Sequence, residues 1–201
     1  AMSEEDIKKV CRDFAAAAKR AKDGGADGVE IHGAHGFLLT QFLSPLINRR
    51  EDRYGGSFEN RLRLTREVYA AVRGAVGADF SVWLKISATE GAEGGYGPDE
   101  GTEAALTLLR DGVNVVEVSS GTGYATSERS RRLSRRIGGA LCPLCGEDKG
   151  IRTEKLSGAA DGRAALAARD GRAAGGWRRR PFWAEPPVQR GAGPHKPLGG
   201  G

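Results

Sequence analysis

The sequence predicts an α/β fold built on parallel strands, and three observations carry that expectation. A helical pattern followed by a short strand-like run occurs three times in the first 125 residues. The runs are VEIH (29–32), LKIS (84–87) and VEVS (116–119), all of the form apolar, charged, β-branched, polar. Their charged residues share one face near the strand ends. Helix-then-strand repetition argues for a parallel sheet with crossover helices. Strands buried on both faces of a doubly wound sheet read as apolar throughout. A barrel instead places catalytic groups at inward positions near its C-terminal rim. The expected architecture is therefore part of a (β/α)8 barrel, about three βα units long.

Each element has a local reason. Ser3 is placed to cap a first helix, with Glu4, Glu5 and Asp6 in the first turn, where acidic groups complement the helix dipole. Ile7, Val10, Phe14, Ala18 and Ala21 recur at helical spacing, and Gly24-Gly25 stops the helix. A second helix is expected from Ser57 to about Val76, with Leu64, Val68, Val72 and Val76 on one face. A third is expected from about Glu100 to Arg110. In the strands, alternation puts Glu30 with His32, Lys85 with Ser87, and Glu117 with Ser119 on one face. Val29, Ile31, Leu84, Ile86, Val116 and Val118 take the other, which is expected to pack on the helices.

Beyond Thr126 the pattern changes. The net charge of +5 divides into +9 for residues 126–201 (16 Lys and Arg against 7 Asp and Glu) and −4 for residues 1–125 (15 against 19). SERSRRLSRRIGG and GRAALAARDGRAAGGWRRRPFW are rich in Arg, Gly and Ala, and strand-length apolar runs are few. This is the composition of a disordered segment, or of a GC-rich message translated out of frame. The expected organisation is a partial barrel over 1–125 and a basic low-complexity tail over 126–201. Cys142 and Cys145 stand at metal-ligand spacing, but only Cys11 and His195 remain to complete a site, at no recognisable spacing, so no metal is expected. The arginines, with Trp177, Phe182 and Trp183 among them, have the chemistry for non-specific polyanion binding, though a solvated basic tail is the more ordinary reading. No stretch of 18 apolar residues exists to span a membrane, the acidic opening SEED lacks a signal pattern, and three cysteines make no disulfide framework. A soluble, reduced, cytoplasmic protein is expected.

The chemistry concentrates where β-like runs end. His32 closes its strand and His35 follows in the loop. Two imidazoles side by side can donate to one oxygen as negative charge builds on it. They can also be a pair of satisfied loop histidines. A metal reading needs a third ligand, and no carboxylate follows closely. Lys85 faces the same way from the next strand, and an inward lysine needs an anionic partner, Glu30 or a ligand. A bland alternative joins Glu30, Lys85 and Glu117 in a buried ion network. The long loop from Gly33 to Gly56 is dense in charges and turn formers, as functional loops often are.

These residues together resemble the old yellow enzyme family of FMN-dependent NAD(P)H:flavin oxidoreductases. The likeness runs from about Ser3 to Gly123. It is carried by GADGVEIHGAHGFLLTQFLSPLINRREDRYGGSFENR, and less specifically by VWLKIS and VNVVEVSSGTGY. The resemblance implies a (β/α)8 barrel with FMN across its C-terminal mouth, reduced by NAD(P)H and passing hydride to an activated alkene or quinone-like acceptor. It places His32 and His35 on the substrate oxygen and Lys85 at the pyrimidine edge of the flavin. At the usual proton-donor tyrosine position stands Phe37, which has no hydroxyl to donate.

By the same resemblance the three strands are the fourth, fifth and sixth of eight, and a full barrel takes about 250 residues. Three parallel strands alone leave two open edges, so such a piece is expected to need complementing barrel chains or self-association. Two functional readings follow. One is part of an ene-reductase-type oxidoreductase. The other is an inactive remnant whose basic tail binds polyanions.

Overall fold

The computed structural model describes residues 1–119, together with the strand backbones at 151–155 and 164–168, all within the compact unit Ala1–Gly171. The remainder of the predicted tail, with Cys142, Cys145 and His195, lies outside the described residues. Helix α1 spans Glu4–Asp23. Ser3 caps it by accepting from the Asp6 N–H, while the Asp6 carboxylate accepts from the Ser3 N–H at 2.8 Å. That reciprocal box satisfies donors the first helical turn leaves open. Strand β1 (Gly28–Gly33) follows, then a short helix α2 (Leu38–Leu43) and helix α3 (Phe58–Val76). Ser57 caps α3 and Gly77, at φ 78°, ends it. Strand β2 covers Ser81–Ser87, helix α4 Pro98–Arg110 and strand β3 Val115–Ser119. Helix α4 begins two residues earlier than the spacing predicts. Pro98 at its first turn explains this, because the proline ring is pre-set for a helical φ and has no N–H to leave unpaired.

Strands β1, β2 and β3 pair in parallel in that order. Their apolar side is the core. Ile31, Leu84 and Val116 lie side by side in register and are all buried, as are Ile86 and Val118 one row further. Leu64, Val68, Val72 and Val76 of α3 are buried in the same cluster. Polar ties hold the layers together. Arg66 grips Asp111 at the end of α4 through two bonds of 2.6 and 2.8 Å, and Arg61 reaches Glu100 at 2.8 Å.

Two expectations need correction. The sequence pattern offers few strand-length runs beyond Thr126. The structure has β4 at Ile151–Lys155 and β5 at Ala164–Ala168, and the sheet order is β1-β2-β3-β5-β4. Strand β5 runs antiparallel to both β3 and β4. Residues 156–163 are too few for the crossover of a dozen or more residues that a parallel pair requires, so β4 and β5 meet antiparallel. The edge of β3 is thus paired, and among the described residues the two open edges of the sheet are β1 and β4. The second correction is α2, which lies inside the segment expected to be one long loop.

Candidate active site at the strand ends

The polar side of the parallel sheet carries a row fixed by register: His32 beside Lys85, and Lys85 beside Glu117. Lys85 donates to Glu117 at 2.6 Å, and the two side chains are only 12% and 10% exposed. Sequence reasoning offered Glu30, a ligand, or a network of Glu30, Lys85 and Glu117. Register explains why Glu117 holds that place: Glu30 stands level with Trp83, one row lower.

The next row up pairs Ser87 with Ser119. His35 is bound to both. Its backbone N–H donates to the Ser87 Oγ at 3.0 Å, and its Nε2 lies 2.8 Å from the Ser119 Oγ. His35 adopts φ 60°, the left-handed region that side chains other than glycine rarely take, and Gly36 follows at φ 81°. The sharp turn brings the His35 ring back over the sheet. The ring centroids of His32 and His35 are 5.3 Å apart at 66°. Phe37 sits 5.0 Å from the His32 ring and is 60% exposed. All four sequence-predicted site residues therefore gather at one end of the sheet. Alternation put Ser87 and Ser119 on the right face without suggesting a role; only the register between distant segments shows that they meet His35.

The His32 imidazole titrates below its ordinary range. Partial loss of water is the larger cause and the Lys85 ammonium the second, with Glu117 opposing them. At neutral pH its neutral form is favoured.

The charged loop between α2 and α3 largely holds itself. Asn48 donates to the carbonyls of Phe42 and Tyr54 at 2.6 and 2.7 Å. Arg50 forks onto Asp52, donates to the Met2 carbonyl at 2.7 Å, and lies over the rings of Phe42 and Tyr54. The Tyr54 hydroxyl donates to Glu67 at 2.9 Å, and burial with that carboxylate pushes its pKa up to about 12. Among the described residues no group of three or more side chains is arranged to hold a metal, and no helix is long and apolar enough to cross a membrane.

The family model for NADH:flavin oxidoreductase / NADH oxidase matches residues 1–135. The chain belongs to this family. Among curated relatives it is 46% identical over 116 residues to an NADH oxidase of Thermoanaerobacter brockii, covering 58% of this chain and 18% of that one. It is 47% identical over 122 residues to an NADPH dehydrogenase of Clostridium acetobutylicum, covering 60% and 35%. Among solved structures, a 2-naphthoyl-CoA reductase complexed with 2-naphthoyl-CoA aligns with a TM-score of 0.62 at 26% identity, over 71% of this chain and 23% of that one. Histamine dehydrogenase from Rhizobium sp. 4-9 aligns at 0.57 and 36% identity, over 61% and 18%. The chain thus spans between about a fifth and a third of these relatives.

Membership in the NADH:flavin oxidoreductase family implies FMN and NAD(P)H as cofactors, and the parallel β1–β3 sheet with its helices is a partial (β/α)8 barrel. Lys85 supplies the donor chemistry that an electron-rich cofactor edge requires. An ammonium has three donors, and Glu117 accepts from Lys85 while leaving it on the polar face beside the histidines.

Proposed function

We propose that this chain carries the substrate-oxygen and flavin-edge portion of an FMN-dependent NAD(P)H oxidoreductase of the ene-reductase type, acting on an activated alkene or quinone-like acceptor. The paired rings of His32 and His35, 5.3 Å apart on the face that holds Lys85, carry this reading. When bound, FMN supplies the hydride relay between the nicotinamide and the alkene. The residues of this chain do the rest. His32 and His35 donate to the carbonyl oxygen of the acceptor, whose charge grows as the alkene is reduced. The neutral form of His32 suits this work, because it can donate without placing a second full positive charge beside Lys85. Lys85, held by Glu117, would hold the pyrimidine edge of the flavin and supply positive charge there. Phe37 cannot protonate the alkene, so water or another group delivers that proton.

The test is NAD(P)H-dependent reduction of 2-cyclohexenone by the full chain supplied with FMN. His32→Ala and His35→Ala should each lower the rate by about 10² to 10³, as loss of an oxyanion donor does. Phe37→Tyr should raise alkene reduction by about 10² to 10⁴, the usual contribution of a placed general acid. Identical rates in all four proteins would sink the reading. Colourless protein whose only binding is salt-sensitive attachment to polyanions would support the inactive-remnant alternative instead.

A further inference from the structure

We infer that Ser119 is a positioning residue that fixes the ring of His35. The inference rests on the reading of His35 as one of two groups holding the substrate oxygen. His35 occupies a strained backbone position, φ 60°, in the turn that leaves β1. The chain turns out of β1 there, so the aim of the His35 side chain is set by what it touches. Two hydroxyls from neighbouring strand ends do this from two sides. Ser87 accepts the His35 backbone N–H at 3.0 Å, and Ser119 lies 2.8 Å from Nε2. Ser87 and Ser119 are register partners, so parallel pairing of β2 and β3 sets the spacing of the two grips. The Ala88 N–H donates to the Ser119 carbonyl at 2.8 Å, which continues that pairing past the strand ends. Ser87 holds the turn and Ser119 holds the ring.

The division of labour has a chemical consequence. A serine hydroxyl can accept from an imidazole N–H or donate to a bare ring nitrogen. Whichever it does at Nε2 biases which nitrogen of His35 carries the proton, and hence which can donate to an oxygen. Ser119 therefore sets both the ring plane and the tautomer of a proposed oxygen ligand without touching the substrate itself.

Long-range proton–nitrogen spectra of the full chain, 15N-labelled at histidine, test this without any turnover. Ser119→Ala should change the His35 tautomer ratio roughly two- to tenfold, the worth of one ordinary hydrogen bond. Ser119→Thr, which keeps the hydroxyl, should restore it, and His32 should keep its own ratio in both. Ser87→Ala should move the His35 backbone amide and leave the ring tautomer alone. In the unmodified chain, the His35 ring protons should show a through-space contact to the Ser119 β-protons, a result that needs no variant to fold. An unchanged His35 ratio in Ser119→Ala, an equal change in Ser119→Thr, or no contact in the native chain would each overturn the inference. Failure of 2-cyclohexenone reduction with these spectra as expected would count against the proposed function alone.

Discussion

The three parallel strands present two faces that differ in almost every physical respect. On one, Ile31, Leu84 and Val116 form a row closed off by helices, with α3 supplying Leu64, Val68 and Val72. On the other, the neighbouring row is His32, Lys85 and Glu117. The backbone is common to both, so the difference is set by side chains alternating with a period of two. One face yields burial energy. The other spends some of it to keep an ammonium, a carboxylate and two imidazoles close together. Stability and chemistry are thus separable by parity along the strand.

The largest effect should come from the apolar face. Leu84→Ala removes a fully buried side chain from the middle of the three parallel strands and should cost about 2–5 kcal/mol of stability. Urea unfolding of the full chain checks it; a loss well below 1 kcal/mol would mean that this face is not the core. A smaller effect should come from the ion pair. Lys85→Met removes the ammonium that donates to the Glu117 carboxylate and should cost about 1–3 kcal/mol. Pairing it with Glu117→Leu should recover part of that loss, because an apolar pair avoids the desolvation that a buried charge suffers. A double variant less stable than the single one would show that the pair contributes net stability.

The smallest effect is a titration. His32 titrates below 6.5 in the folded chain, so the unfolded chain binds its proton more readily. Stability should therefore fall as pH drops from about 6.5 toward the folded midpoint, and His32→Asn should flatten that slope. Proton NMR of the ring separates the causes. Lys85→Met should raise the His32 midpoint, and Glu117→Gln should lower it. Shifts of the opposite sign would mean that the row does not act on His32.

Much of this was legible from residue types. The cap at Ser3, the stop at Gly24, the helix expected from Ser57 to about Val76 and the parity of each strand are local signals, and the structure follows them. What was not legible depends on pairing between distant segments. Glu117 rather than Glu30 holds Lys85 because of register, which no single strand reveals. Helix α2 was hidden because its N-cap is Phe37, which makes no side-chain cap bond. Strand β5, AALAA, reads as a helix former by composition, and pairing to the edge of β3 overrides that preference.

The central claim is that the polar face of these strands is a flavin-edge and substrate-oxygen site. The most direct measurement is a titration of the full chain with FMN, followed by flavin fluorescence, in the wild type and in Lys85→Met. The account predicts saturable quenching that the substitution weakens by roughly tenfold or more, as loss of a charge-assisted hydrogen bond does. No saturable binding, or binding indifferent to Lys85→Met, would contradict it.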